Sequence, residues 1–359
     1  MMTLGEIVAW IPLWLLRASV FVFGLLWGSF LNVVIYRVPL DMSVVFPGSH
    51  CPGCGKPVAG YDNIPVLSYV ILRGRARCCG ARMSPRYPLV ELLGGALSLA
   101  VFEVIIRSLP GSMGIGRAAA IYAADFALCL GLVAAAFIDL EHMILPDRIT
   151  LGGVVLGIAT ATLRGSSFRE SIVGALIGLL MIWFPLIFLF KGLTGRNGMG
   201  LGDAKLVALA GAWFGWPGAV FTLFAGAFQG ALYAMVMKVL GIELKLPKAV
   251  QDDIDRLKKA AAEGDPEAIA ELEEDPLTES EGDAFILRWI RTGLEKLGLV
   301  RPKSETAATE APADEEAEEE EPPQRTWMPF GPFLILACLE LLFAGDLIAA
   351  QWQALFASG

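Results

Sequence analysis

The sequence predicts an all-α polytopic membrane protein with about eight transmembrane helices, a small cytoplasmic cysteine-containing lobe and an acidic cytoplasmic insert. Of its 359 residues, 55% are hydrophobic and only 18% are charged, whereas a soluble domain has about 25% charged residues. The apolar residues fall in long runs, and a helix of about 20 such residues crosses a bilayer core of ~30 Å. This composition excludes an ordinary soluble globule and a small disulfide scaffold.

The net charge of −9 is unevenly distributed along the chain. Residues 243–325 include 24 acidic and 11 basic residues, a net charge of −13, whereas the remainder has 13 acidic and 17 basic residues, a net charge of +4. One acidic insert therefore interrupts a mildly basic membrane body. Because the chain lacks the basic stripe of a nucleic-acid-binding protein, we expect the lipid bilayer, and no nucleic acid, as a partner.

The first apolar run, from Ile7 to Ile35, is too long for a signal-peptide core and lacks a small-residue cleavage pattern. We therefore expect residues 1–35 to hold a retained first transmembrane helix. A polar domain, 36–88, separates this helix from a membrane core, 89–242, and residues 326–359 supply the last transmembrane helix. The other apolar runs begin near Leu89, Ala118, Ile149, Ser171, Ala204, Gly218 and Phe333.

The positions of Lys and Arg predict the orientation, because positively charged short loops stay in the cytoplasm. The polar domain 36–88 carries seven basic residues. It is the most positive loop of the chain, so we expect it to be cytoplasmic. Alternation of the spans then places the loops near residues 139–148 and 191–205, together with the insert, on the same side.

The insert, 243–325, combines three patterns. Residues 251–274 are typical of a charged, solvated helix. Residues 284–297 are amphipathic, with Phe285, Trp289 and Leu297 on one helical face, which suits a membrane surface or a partner. Residues 304–324 are acidic, rich in Ala and Pro and without apolar periodicity, which is typical of disorder. The simplest interpretation is a solvated tether.

Two aspartates stand at the ends of predicted spans, at the same membrane edge. Asp139 closes one apolar run, and Asp203 opens another after Gly198, Gly200 and Gly202. An ionisable group at membrane depth is costly and is a functional candidate by default. Two facing carboxylates cannot both be ionised easily, so the ionised one can activate water while the protonated one polarises a carbonyl. This is aspartyl-protease chemistry, and the glycines allow close approach of an extended substrate.

Other roles for these carboxylates stay open from the residues alone. Asp203 could simply cap the helix that follows it. Asp125 lies within an apolar run and is an alternative partner for either aspartate. Asp147 follows Pro146 and is well placed to cap the next helix.

Four cysteines in the polar domain form a candidate metal site. Cys51 and Cys54 form a C-x-x-C knuckle of the kind that binds zinc, and a second pair would complete a four-thiolate site. Cys78 and Cys79 supply that pair, but adjacent ligands are geometrically awkward. A structural zinc ion and a disulfide are both open, and a reducing cytoplasm disfavours the disulfide.

Together these motifs resemble the type IV prepilin peptidases, a family of GxGD-type membrane aspartyl proteases. The resemblance covers most of the chain outside the insert. The segments GSFLNVVIYRVP (28–39), NIPVLSY (63–69) and SPRYPLVE (84–91) are similar to the opening motif and the cytoplasmic domain of the family, and PFGPF (329–333) is similar to the entry to its last span. The glycines before Asp203 and the Cys51–Cys54 knuckle complete the set, in family order.

The resemblance implies that Asp139 and Asp203 are the catalytic pair of an endopeptidase of the bacterial inner membrane, with its active site facing the cytoplasm. It implies cleavage of the basic leader of type IV pilin or type II secretion pseudopilin precursors, after Gly and before Phe. It also implies N-methylation of the new N-terminus with S-adenosylmethionine, an activity associated with the cysteine-containing domain. Ala76 stands where the family usually has the first cysteine of the second knuckle.

Two other classes of function remain open. A proton-coupled transporter would use Asp125, Asp139 and Asp203 as a relay, but the chain has no obvious inverted repeat. A catalytically silent scaffold of a secretion assembly would depend on the insert, but the aspartates are intact.

Overall fold

A computed structural model describes residues 2–190, 199–242, 246–263, 265 and 328–357. Within these ranges the chain is helical, and its β-type pairing is confined to isolated bridges. Six of the described helices are long and apolar enough to cross a membrane. The predicted polytopic all-α membrane protein is therefore confirmed.

The helices are numbered in chain order. A π-helical turn, Val101–Ile105, and a 3-10 turn, Ile106–Ser108, extend α4, and a π-helical segment, Trp183–Leu189, extends α7. The helices are α1 Leu4–Trp10, α2 Leu13–Arg37, α3 Leu67–Ile71, α4 Arg86–Ala100, α5 Ile115–His142, α6 Asp147–Thr160, α7 Phe168–Ile182, α8 Leu201–Val239, α9 Lys248–Ala262 and α10 Gly331–Ala357.

The exact number of eight spans is not confirmed, and two features explain the difference. The run near Ile149 forms α6, which has only 14 residues and is shorter than the ~20 residues that cross a bilayer core. The runs near Ala204 and Gly218 form one element, α8, with a kink inside it. Gly215 has non-helical backbone angles (φ 71°, ψ −176°) there, and Pro217 cannot donate a backbone hydrogen bond to the helix.

The first apolar run forms two helices instead of the single one predicted. α1 begins at a capping box in which Thr3 and Glu6 satisfy each other's backbone N–H groups. The chain leaves the helical conformation at Ile11, and α2 follows Pro12, whose carbonyl accepts the N–H of Leu15 at 2.9 Å. Because Pro12 has no N–H, it begins a helix more easily than it continues one.

Small residues set the distance between the central helices. α8 packs along α7 and also contacts α6 and α10, while α2 packs along α4. A Cβ atom on Gly178 of α7 would lie 2.5 Å from the carbonyl oxygen of Val207 in α8, so the two backbones are in direct contact. About two turns away on α7, Ser171 donates its hydroxyl to the Ala212 carbonyl at 2.6 Å. Close backbone approach and interhelical hydrogen bonds are how helices associate in lipid.

The insert is described only in its first part. Helix α9 covers Lys248–Ala262 and agrees with the charged helix predicted from residue 251. The rest of that predicted helix, the amphipathic stretch 284–297 and the acidic stretch 304–324 lie outside the described residues.

The close contact between α7 and α8 predicts opposite effects on stability for two glycine-to-alanine substitutions. In Gly211→Ala, the added methyl group would overlap the carbonyl of Gly174, and such overpacking costs about 1–3 kcal/mol. The control Gly152→Ala, on α6, adds a methyl group to open space, where alanine favours the helix by about 1 kcal/mol. Thermal unfolding of the purified protein in detergent should show a lower midpoint for Gly211→Ala only. Equal shifts for both variants would show that the α7–α8 contact is not tight.

Candidate active site

Asp139 lies in the last turn of α5 and is 5% exposed. The helix ends at Met143, which takes a left-handed conformation (φ 55°) and donates its N–H to the Asp139 carbonyl at 2.9 Å. The side-chain atom Oδ2 of Asp139 is buried and accepts no hydrogen bond. An uncompensated carboxylate oxygen is costly to bury, so a substrate or catalytic water that bound there would relieve that cost.

Asp203 lies in the first turn of α8, and its position excludes the simple capping role. The N-cap of α8 is Gly200, and no side chain caps the helix. Asp203 is near enough to Asp139 for their charges to repel each other. The structure therefore brings together the two aspartates that the sequence selected.

The N-terminus of α10 forms a third side of this site, which the sequence did not predict. The N–H of Gly331 faces the Asp139 carboxylate without a well-aligned hydrogen bond. A Cβ atom on Gly331 would lie 2.5 Å from Oδ2 of Asp139 and 3.2 Å from Leu145, which also touches Gly202 on α8. The PFGPF segment was the available signal, but its residue pattern does not indicate that it lies beside an aspartate.

An ion pair joins the segments that follow the two aspartates. Lys205, two residues after Asp203, contacts Asp147 at 2.5 Å. Asp147 is the first residue of α6 and follows the N-cap Pro146, so its expected capping role is replaced by this ion pair. This contact holds the start of α8 to the start of α6.

Asp125 is not part of this group. It is buried on α5, 14 residues before Asp139, which corresponds to about 21 Å along a helix. It lines a cavity of about 620 Å³ together with Arg164. The guanidinium of Arg164 stacks on Trp213 at 4.1 Å and donates to the Trp213 carbonyl at 2.9 Å.

The four cysteines of the polar domain lie close together. Their ligand atoms all lie within 4.8 Å of one another. The Sγ atoms are 3.6 Å apart for Cys51 and Cys79, 3.3 Å for Cys54 and Cys78, and 3.9 Å for Cys78 and Cys79. A tetrahedral zinc ion with Zn–S bonds of about 2.3 Å requires sulfur separations near 3.8 Å. The four thiols therefore fit a zinc ion, and all four are free cysteines.

The backbone explains how adjacent cysteines can both be ligands. Two knuckles repeat the same turn: the Gly55 N–H donates to the Cys51 carbonyl, and the Gly80 N–H donates to the Ala76 carbonyl, each at 2.8 Å. Ala76 thus occupies the place that Cys51 holds in the first knuckle. Cys78 supplies the missing thiol from a different position of the second turn.

The thiols influence one another's ionisation. A hydrogen bond from the Gly53 backbone, helped by the Cys78 thiol, lowers the pKa of Cys51 to about 7. Hydrogen bonds to Cys54 and Cys51 raise the pKa of Cys78 to about 12. Cys51 therefore begins to lose its proton near neutral pH, whereas Cys78 retains a proton that a bound cation would displace.

Comparison with known proteins decides the family. The "Bacterial Peptidase A24 N-terminal domain" matches residues 22–105, which contain the four clustered cysteines, and the "Type IV leader peptidase family" matches residues 126–235, which contain Asp139 and Asp203. A protein of Myxococcus xanthus (strain DK1622), named prepilin leader peptidase/N-methyltransferase, is 39% identical over 92% of this chain and 91% of its own length. The chain belongs to the type IV leader peptidase family.

Relatives with the same name from Aeromonas hydrophila and Dichelobacter nodosus are 38% and 40% identical, each over 63% of this chain and 83% of their own length. The resemblance predicted from the motifs is therefore confirmed. The Myxococcus match covers 92% of the chain, and the residues outside 243–325 are too few to supply it. That match must extend into the insert.

No solved structure is significantly similar to the chain.

The sulfur geometry predicts a zinc site that depends on the cluster. Purified full-length protein should contain about one zinc ion per chain, and Cys51→Ser should lose it because it removes one of four ligands. Cys129→Ser is the matched control, since Cys129 lies on α5, outside the cluster. Elemental analysis of both variants measures the metal. Full zinc content after replacement of both Cys51 and Cys54 would assign the metal to another site.

Proposed function

We propose that this chain is a membrane aspartyl endopeptidase that cleaves the leader of type IV prepilin-like precursors and methylates the new N-terminus. The observation that carries the proposal is the placement of Asp139 and Asp203 together at the ends of two membrane helices. The names of the relatives, prepilin leader peptidase/N-methyltransferase, support the same substrate and both activities.

The two carboxylates act as one unit that shares a proton. The ionised carboxylate accepts a proton from water, and the water oxygen attacks the carbonyl carbon of the Gly–Phe bond. The protonated carboxyl donates its proton to the carbonyl oxygen, which gives a neutral tetrahedral intermediate. Collapse of this intermediate breaks the C–N bond while a proton passes to the nitrogen. The products are a leader ending in glycine and a mature chain beginning with phenylalanine.

The surroundings of the two aspartates suit this reaction. α8 and α10 both begin at the site, and helix N-termini carry partial positive charge. The N–H of Gly331 faces the Asp139 carboxylate, where it can stabilise negative charge. Gly200 leaves space beside the Asp203 carboxylate for a substrate, since a Cβ atom there would lie 3.5 Å from Oδ2 of Asp203. These features favour peptide hydrolysis over proton transport, since Asp125, the third member of the transporter relay, lies far from the two aspartates.

The location of the site fits a substrate that is itself anchored in the membrane. The apolar helix of a prepilin or pseudopilin can stay in the bilayer while its leader reaches the ends of α5 and α8. The Lys/Arg-rich domain 36–88 supports a cytoplasmic location of this edge in the bacterial inner membrane.

Methyl transfer is the second proposed activity. When bound, S-adenosylmethionine would supply the methyl group to the new α-amine, and S-adenosylhomocysteine and a proton would be released. The cavity beside Asp125 does not suit this methyl donor, because it lies far along α5 from the aspartates where the amine is produced. The four-cysteine cluster would hold a structural zinc ion that stabilises the domain 36–88.

Replacing either aspartate should abolish cleavage. Asp139→Asn and Asp203→Asn preserve size and remove the ionisable group, so the rate should fall by at least about 100-fold. The measurement is leader cleavage of a prepilin in membranes at matched expression.

The control for this experiment is Asp125→Asn, the same substitution on the same helix. It should retain cleavage within about twofold, because Asp125 lies about 21 Å from Asp139 along α5. Substantial cleavage by either Asp139→Asn or Asp203→Asn would overturn the catalytic assignment. An equal loss in all three variants would point to a common relay.

Gly331→Ala should impair cleavage through Asp139 while the fold is retained. The added methyl group would lie 2.5 Å from Oδ2 of Asp139, so the carboxylate must move, and a shift of about 1 Å can cost up to ~100-fold in rate. The control Gly345→Ala, on the same helix, adds its methyl group to open space and should have normal activity. The effect should fall on kcat more than on KM. A normal kcat for Gly331→Ala would remove α10 from the active site.

A further inference from the structure

Helix α3, in the cysteine-containing domain, has an apolar face that no described part of the chain covers. Leu67, Val70 and Ile71 are 51%, 64% and 61% exposed. Their spacing of three and four residues places them on one side of the helix. An exposed apolar face of this kind marks a contact with something outside the chain.

The opposite side of α3 is satisfied internally. Ser68 is buried, donates its hydroxyl to the Tyr61 carbonyl at 3.2 Å and accepts the Ile64 N–H at 3.1 Å. The polar side of the helix therefore faces the domain, and the apolar side faces outward. This is the reverse of the arrangement expected for a helix on a water-exposed lobe.

A hydrogen bond fixes the height of α3 relative to the membrane. The N–H of Val66, the N-cap of α3, donates to Oε2 of Glu91 at 2.6 Å. Glu91 is five residues into the membrane-spanning segment Arg86–Ser108, which is about 7 Å along the helix. Leu89 and Leu92 of the same segment are exposed and would face lipid. The start of α3 thus lies beside the second turn of a membrane-spanning helix.

Basic residues follow the apolar face. Arg73, Arg75 and Arg82 are exposed, and Arg75 and Arg82 pair across an antiparallel bridge. Arg77 is used internally, in an ion pair with Asp62 at 2.9 Å. The other three form no ion pair with any described residue. Apolar side chains beside uncompensated arginines match the acyl chains and phosphates of an anionic bilayer surface.

We propose that α3 is an interfacial anchor that inserts into the bilayer leaflet on its own side of the membrane. Leu67, Val70 and Ile71 enter the acyl region, and Arg73, Arg75 and Arg82 bind lipid phosphates. The anchor fixes the cysteine-containing domain at a set height beside α4. The inference rests on the membrane-spanning fold and does not require peptidase or methyltransferase activity.

The test measures lipid contact at two positions of the full-length protein in nanodiscs. An environment-sensitive fluorescent amino acid replaces Val70 in one variant and the exposed Lys56 of the first knuckle in the other. Phosphatidylcholine with brominated acyl chains quenches a probe that enters the leaflet. The Val70 probe should be quenched at least about twofold, as for a face that enters the acyl boundary, and the Lys56 probe should not be quenched.

A second comparison tests the arginines. Adding phosphatidylglycerol should increase quenching of the Val70 probe, and the combined change Arg73→Gln, Arg75→Gln and Arg82→Gln should remove that increase. Normal thermal stability of each variant confirms that the fold is intact. Equal quenching at Val70 and Lys56 would overturn the proposal. A blue-shifted Val70 probe that bromine does not quench would assign the face to a protein and would also overturn the proposal.

Discussion

The carboxylate of Asp139 is buried against the N-terminus of α10, and one of its oxygens accepts no hydrogen bond. Burying a carboxylate in this way is stable only where the surrounding helices leave it no alternative position. α5 supplies the aspartate, α8 supplies a second one, and α10 closes the remaining side with a glycine. The chemistry proposed for the site requires all three helices at these distances.

Contacts between small residues set those distances. Gly178 and Gly211 bring α7 and α8 into backbone contact. Gly226 lets α10 approach α8 closely, since a Cβ atom there would lie 2.8 Å from the Leu334 side chain and 3.2 Å from its backbone. Gln229 of α8 then donates to both carboxylate oxygens of Glu340 on α10, at 3.0 and 2.9 Å. Lipid gives helices little hydrophobic reason to associate, so close packing and interhelical hydrogen bonds must supply it.

The sequence predicted the fold class and the two aspartates because each follows from local pattern. Long apolar runs predict transmembrane helices. A carboxylate at the end of such a helix is costly to bury, whichever neighbours the helix packs against. Gly331 could not be predicted in its role, since its importance comes from a contact with Asp139, far away in the chain. The adjacent pair Cys78 and Cys79 looked unsuitable as zinc ligands because their suitability also depends on tertiary structure. Sulfur positions depend on how two turns face each other, which residue spacing does not record.

The position of Gly331 also has a consequence for how the family can vary. It begins α10, and the long acidic insert lies between α8 and this point. The entropy of closing a flexible connection grows only with the logarithm of its length, so doubling the length costs about 0.6 kcal/mol. Selection can therefore lengthen or shorten this connection at little thermodynamic cost. The register of α10 against Asp139 has no such freedom, because displacing Gly331 by one residue would place a side chain on the carboxylate.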